Sequence, residues 1–599
     1  MKLSKIYSNQ PNSFGPIEFV AGLNVIMAEI RLPKNLNKDT HNLGKTTLAR
    51  VIDFAFLNSR NPGFFLFKHI EIFKDFVFFL ELELDNSSYI TIRRGVEEST
   101  KISFKRHHSR CQNFTDLPPN EWDHHDVAFD RAKELLDGIL DWKVLKPWPF
   151  RRQLGYLLRI QSDYENVFTL RKSANGKHSS WKPFLAHILG FNAKQIEELY
   201  KKEEQLKNSE STATTVRKEL GGSIEDISKI EGMLLLKKKE AEKKQAILDS
   251  FDFRGQDKER TKNLVNEIDA RISALNNQRY SLSKNKKKIL DSMKDERILF
   301  DPDEAYRLFK DAGIYFEGQI KKDFKQLINF NKLITEERRT YLQEDHAEIE
   351  VTLKQVNSEL NILGKKRANA LSFLNETDIF EKYKSLSDEI VITRADIVSL
   401  ERQRGYLHRL KELRSEIRAL KEECSHLQTS IESDVESQNS DQTSIFSTIR
   451  LYFSEIIEDV INRKALLNVF PNKEGHLEFK AEILDEAGNE TSAASGHTYQ
   501  KLLCIAFDLS VLRAHLCDKF PRFVYHDGVF ESLDDRKKTN LLGVIRRYAQ
   551  LGLQPIITLI DSDLPPTNID NEHVFKESEI ITVLHDENEQ GLLFRINSW

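Results

Sequence analysis

The chain has 599 residues, 30% of them charged and 39% hydrophobic, with 24 Gly, 15 Pro and a net charge of −4. That length exceeds one ordinary domain and allows a sizeable buried core, while a glycine-poor, charge-rich balance favours long helices over a loop-rich globule. The charge excludes a uniformly basic nucleic-acid binder, so any such surface is a local patch, and no run of about 18 apolar residues is present for a membrane span.

Residues 1–192 read as an α/β lobe. "IEFVAGLNVIMAEI" has the apolar density of two short strands, and "FVFFLELELDNSSYITIRRG" that of a hairpin turning at Asp85 to Ser88. The opening "MKLSKIYSNQ" has no apolar signal core, and Cys111, Cys424, Cys504 and Cys517 show no CxxC spacing. The expectation is a cytoplasmic chain with reduced thiols and neither a disulfide framework nor a zinc site.

From 193 to 455 the sequence turns Lys/Glu-rich. Val265, Ile268, Ile272, Leu275, Arg279, Leu282, Lys286, Ile289 and Met293 follow alternating steps of three and four, a heptad seam with two polar interruptions. Further seams run from Leu342 through Val356 to Leu363 and from Leu413 through Cys424 to Ile431. Between the first two lies "LFDPDEAYRLFKDAGIYFEGQIKKDF", where Pro302, Gly313 and Gly318 favour a reversal. The segments are an ascending coiled coil at 193–295, a tip at 296–335 and a descending coiled coil at 336–455. About 100 helical residues a side would make an antiparallel hairpin roughly 150 Å long, with breaks expected near 251–255 and 375–377.

Residues 456–599 return to α/β character. "GHLEFKAEIL" alternates like a strand, and "PRFVYHDGVF" and "LQPIITLIDSD" are apolar strands ending on acidic residues. An antiparallel arm returns this lobe to the first, so the two should form one composite domain.

The chemistry centres on "DTHNLGKTTLAR", which lies between a strand in "GLNVIM" and an apolar helix in "TTLARVIDFAF" and whose Gly44-Lys45-Thr46-Thr47 closes a phosphate-binding loop. In such a loop backbone N–H groups surround a β-phosphate, a lysine reaches the β/γ oxygens and a hydroxyl holds Mg²⁺. Lys45 and Thr46 fit those roles, while Asp39 and Asn42 stand where glycines are usual, both being tolerant of positive φ. Asp527 ends an apolar strand, where a second magnesium-side carboxylate belongs. Ser495-Gly496 precedes a strongly apolar helix, and Asp534 follows Asp527 by seven residues. Taken singly, a Ser-Gly helix cap or an acidic turn is commonplace.

Their order is less so. Loop, long helical hairpin, Ser-Gly element, strand Asp and Leu-Asp pair resemble SMC-type ATPases and the coiled-coil ATPases of double-strand-break repair over nearly the whole chain. Within that family "HNLGKTTL" and "HDGVFESLD" are most similar to a bacterial branch found in three-component ABC and Lamassu-like anti-phage systems. The resemblance implies an α/β ABC-type ATPase head assembled from N- and C-terminal lobes and joined by a long antiparallel coiled-coil hairpin. It implies ATP and Mg²⁺ as cofactors, with Asn42, Gly44, Lys45, Thr46, Thr47, Ser495, Gly496 and Asp534 on nucleotide and Thr46, Asp527 and Gln161 around the metal. It also implies a homodimer whose heads sandwich ATP, the Ser-Gly element of one subunit facing the loop of the other. Double-stranded DNA or DNA ends, a nuclease-like effector, a third small subunit and no membrane complete the expected partners. A repair ATPase working with a nuclease, or a coiled-coil adaptor with a degenerate head, are the competing expectations.

Two departures stand out. The family's catalytic Glu should follow the strand Asp, but Gly528 is there, leaving Glu531 as the nearest carboxylate for water activation. The switch His expected at the end of the "PIITLI" strand is Ile560 or Asp561. Slow hydrolysis follows from the first.

Overall fold

A computed structural model describes residues 1–32, 43–170, 176–220, 226–250, 258–294, 318–372, 377–485, 488, 496–566 and 574–596. These fall into two compact units, one of residues 1–206 and 419–599 and one of residues 207–418. The boundaries read at 192 and 455 lie inside the first unit, because Ile196 and Leu199 on one side and Cys424, Ile431 and Val435 on the other belong to its core.

The first unit is built on two sheets. Strands β1 (Lys2–Ser8), β2 (Ile17–Glu18), β4 (Val77–Glu83), β5 (Tyr89–Gly95), β6 (Lys101–His107) and β7 (His124–Ala128) form an antiparallel sheet in the order β2-β1-β4-β5-β6-β7. Strands β3 (Asn24–Glu29), β8 (Leu158–Arg159), β11 (Phe523–His526), β12 (Gln554–Ile560) and β13 (Ile580–His585) form a parallel sheet in the order β13-β3-β12-β11-β8. Strands from both ends of the chain are interleaved in the second sheet, and Gln554 ties the two sheets by accepting from Leu3 N at 2.8 Å and donating to Leu3 O at 2.8 Å. The inner strands β11 and β12 are buried almost throughout, as strands covered on both faces are. A third pair, β9 (Ala465–Pro471) with β10 (Leu477–Ile483), is antiparallel.

Helix α1 (Lys45–Ala55) leaves the loop after β3 and buries Leu48, Ala49, Val51, Ile52 and Ala55. Helices α2 (Phe129–Leu140), α3 (Arg151–Leu157) and α4 (His178–Ile188) follow in the N-terminal lobe. In the second unit lie α5 (Ala193–Leu220) from residue 207 on, α6 (Ile227–Asp249), α7 (Lys258–Lys294), α8 (Gly318–Ser372) and α9 (Thr377–Ser440) up to residue 418. Helices α10 (Ile445–Ile461), α11 (His497–Ala514) and α12 (Asp535–Gln550) complete the first unit. From Leu502 to Leu512 α11 is buried on every side, as an apolar helix in a core should be.

In the arm, α6 and α9 are antiparallel, joined by Lys238–Glu401 at 2.7 Å and Lys244–Glu389 at 3.0 Å. Helices α7 and α8 are antiparallel too, joined by Arg271–Glu359 at 2.9 Å and Lys286–Glu350 at 2.6 Å. The seam residues Val265, Leu275, Val356, Leu413 and Leu420 are buried as their spacing requires. The expected single hairpin of roughly 150 Å needs correction. Lys262 of α7 meets Asp249 at the end of α6, yet Lys284 and Lys288 further along α7 meet Glu219 of α5, so α7 doubles back beside α6. Arg367 of α8 fastens the fold-back, meeting Asp269 of α7 at 2.8 Å and Asp388 of α9 at 2.6 Å. The lysines of "KKKEAEKK" and "KNKKK" are largely spent on such pairs, among them Lys237–Asp396 at 3.0 Å. The expected tip at 296–335 lies outside the described residues as far as 317, and so do the breaks read near 251–255 and 375–376.

Candidate functional site

The parallel sheet brings the start of α1 and the ends of β11 and β12 together at its C-terminal edge, the place where open α/β sheets bind ligands. Gly44 begins α1 at φ 111°, a left-handed conformation that a side chain would strain, and a Cβ there would lie 2.5 Å from Leu593 Cβ. Lys45 comes next. Its side chain is buried, and its Nζ has no hydrogen-bond partner among the described residues. Burial pulls the ammonium below the usual lysine range, against the opposing pull of Asp527, Glu531, Asp563 and Asp561.

Thr46 Oγ1 donates to Asp527 Oδ2 at 2.5 Å. The other oxygen, Oδ1, accepts from Thr558 Oγ1 of β12 at 2.6 Å, and Gly528 N donates to the same threonine oxygen at 2.9 Å. Register explains the meeting: His526 pairs with Ile557, which sets Asp527 beside Thr558. Beneath, Tyr525 OH donates to Lys45 O at 2.7 Å, fixing the first turn of α1 to β11.

Gln161 Nε2 donates to Glu531 Oε1 at 2.7 Å. Lys501 Nζ, on the other side, donates to Gly528 O at 2.8 Å and to Glu531 Oε2 at 3.1 Å. Asp563, just past β12, has a buried Oδ2 with no hydrogen-bond partner among the described residues, and burial raises its carboxyl above the ordinary range, with Lys538 opposing. Asp534 is exposed, capping α12 through Lys537 N at 3.0 Å and pairing with Lys537 at 2.7 Å. Thr47 is half-buried and Gly496, at the N-cap of α11, is exposed. Asn42 and Ser495 lie outside the described residues.

Behind the site Arg159, fully buried on β8, grips Asp508 of α11 through Nε at 2.8 Å and Nη2 at 2.9 Å. It also donates to the carbonyls of Asp163, Asn166 and Val167, shaping the turn that carries Gln161. His526 Nε2 shares Asp508 at 3.1 Å. Arg159→Leu should therefore lower stability by about 3–5 kcal/mol, since it strands a buried carboxylate. The urea midpoint checks this; an unchanged midpoint would mean that the pair is dispensable.

Sequence reasoning missed Lys501, Thr558, Asp563 and Tyr525. The signal for Lys501 was present, because "QKLLCIAFDLSVL" carries only two charges in an otherwise apolar helix, and both are used inside the protein.

Among known proteins, residues 456–598 match a family described as an uncharacterised protein conserved in bacteria, DUF2326. No curated protein matches the chain. Among solved structures it is similar to an Smc head domain with a coiled coil and joint from Pyrococcus yayanosii, at 13% identity and a TM-score of 0.36, covering 99% of this chain and 96% of that one. It is also similar to an Smc head domain with an extended coiled coil bound to the C-terminal domain of ScpA from Pyrococcus furiosus, at 11% identity and a TM-score of 0.37, covering 99% and 94%. No helix among the described residues is long and apolar enough to cross a membrane.

Proposed function

We propose that the chain is an SMC-like ATPase that binds ATP with Mg²⁺ at the C-terminal edge of its parallel sheet and dimerises around it. The observation that carries this reading is the buried Lys45 ammonium without a hydrogen-bond partner among the described residues, beside the Thr46–Asp527 pair. A buried cation left unpaired costs several kcal/mol. A scaffold without an anionic ligand gains nothing from that cost, which argues against the adaptor reading; a nucleotide triphosphate returns it as binding energy. The Thr46 hydroxyl and the Asp527 carboxylate are hard oxygen donors of the kind Mg²⁺ takes, with its remaining positions left for water and phosphate. Bound Mg²⁺ would neutralise charge developing on the β- and γ-phosphate oxygens.

Dimerisation enters through Gly496, whose exposed place at the start of an 18-residue helix leaves it open to a second copy's phosphates. DNA sensing and control of a nuclease-like effector in anti-phage defence rest on the motif order and on "HNLGKTTL" and "HDGVFESLD". The paired arm lysines add nothing to that part. Light scattering on the full chain tests the assembly: a non-hydrolysable ATP analogue with Mg²⁺ should double the particle mass. A mass that nucleotide leaves unchanged would contradict the sandwich.

A further inference from the structure

Position 528 has no side chain, and another residue fills its place. Gly528 adopts φ 64°, and a Cβ built on it would lie 2.6 Å from Glu531 Oε1 and 2.8 Å from Oε2. The backbone turns tightly here, Glu531 N lying 3.4 Å from Gly528 O. A carboxylate from three residues downstream thus occupies the volume in which a side chain on 528 would start. Two donors hold it there, Gln161 Nε2 at 2.7 Å and Lys501 Nζ at 3.1 Å. Lys501 is itself 4% exposed and anchored by Gly528 O at 2.8 Å, so the lysine joins the glycine's backbone to the substitute carboxylate.

We infer that Glu531 is the general base for ATP hydrolysis, displaced three positions along the chain, and that Lys501 is the positioning residue that keeps it there. The inference rests on the nucleotide reading above. In the step itself a water gives a proton to Glu531 as its oxygen bonds the γ-phosphorus. The bond from that phosphorus to the β,γ-bridging oxygen breaks, its electron pair stays on ADP, and the proton passes from Glu531 to the released phosphate. Gly528 is then a requirement of the arrangement, because any larger residue would meet the carboxylate. Gln161 and Lys501 each take one acceptor position on the base and leave a second lone pair on each oxygen for the attacking water.

The test measures binding of labelled ATP with Mg²⁺ and single-turnover hydrolysis separately, on the full-length wild type, Glu531→Gln, Lys501→Met and Lys501→Arg. All four should bind ATP alike. Hydrolysis should fall by about 10²- to 10⁴-fold in Glu531→Gln. In Lys501→Met it should fall by about 10- to 10²-fold through misplacement of the base. Lys501→Arg should recover part of that loss. Wild-type hydrolysis by Glu531→Gln at unchanged affinity would overturn the base assignment while leaving the nucleotide reading intact. Loss of ATP affinity in Lys501→Met, or its full activity, would overturn the positioning role. A wild type that binds no ATP would overturn the nucleotide reading, and this inference with it.

Discussion

Lys45→Ala is expected to abolish ATP binding. The lysine ammonium is the cation nearest the Thr46–Asp527 pair in sequence, and an ion pair at about 4 Å under an effective dielectric near 20 is worth about 4 kcal/mol. That corresponds to about three orders of magnitude in affinity. The substitution also separates function from folding. Because Lys45 Nζ is buried with no hydrogen-bond partner among the described residues, removing it relieves a desolvation cost. The nucleotide-free variant, most cleanly as Lys45→Met, should therefore unfold no earlier than the wild type in urea. Equilibrium dialysis with labelled ATP and the unfolding midpoint together check both halves. Unchanged affinity would remove the nucleotide hypothesis, and a large loss of stability would recast Lys45 as a structural lysine.

Gly528→Glu is expected to abolish hydrolysis, although it places a glutamate where the resemblance puts the catalytic one. The residue sits at φ 64°, a left-handed conformation that costs a non-glycine residue about 1–2 kcal/mol. Its Cβ would lie 2.6 Å from Glu531 Oε1, so the resident carboxylate must leave, breaking its bonds to Gln161 and Lys501. Two like charges would then compete for one lysine. Single-turnover rates should fall to the level of Glu531→Gln, a loss of about 10²-fold or more. A Gly528→Glu chain that hydrolyses ATP faster than the wild type would show that the site was built for a side chain at 528 and had merely lost it.

The parts of the site that could be read from the sequence are those held by local chemistry. Lys45 and Thr46 follow from a glycine-bearing turn between an apolar strand and an apolar helix, and Asp527 from the polar end of a buried strand. Thr558 and Tyr525 were hidden because their importance arises only when β11 and β12 pair in register, which no periodicity within either strand encodes. Glu531 was visible as a nearby carboxylate, but its return to the space of position 528 depends on the turn at Gly528. In the arm the heptads announced that each helix has an apolar stripe, and Val265, Leu275 and Val356 are buried accordingly. A stripe does not name its partner. The doubling back of α7 toward Glu219 is set by pairs such as Lys288–Glu219, and by Arg367 between Asp269 and Asp388, none of which the spacing singles out.

The central claim is that the buried lysine and the Thr46–Asp527 pair form a working ATP–Mg²⁺ cradle. Calorimetric titration of ATP into the full-length wild type, with Mg²⁺ and with chelator in its place, tests this most directly. Saturable binding in the micromolar to millimolar range, weakened by chelation and absent in Lys45→Ala, is the predicted result. No binding up to about 1 mM ATP in the presence of Mg²⁺, or binding that Lys45→Ala leaves intact, would contradict it.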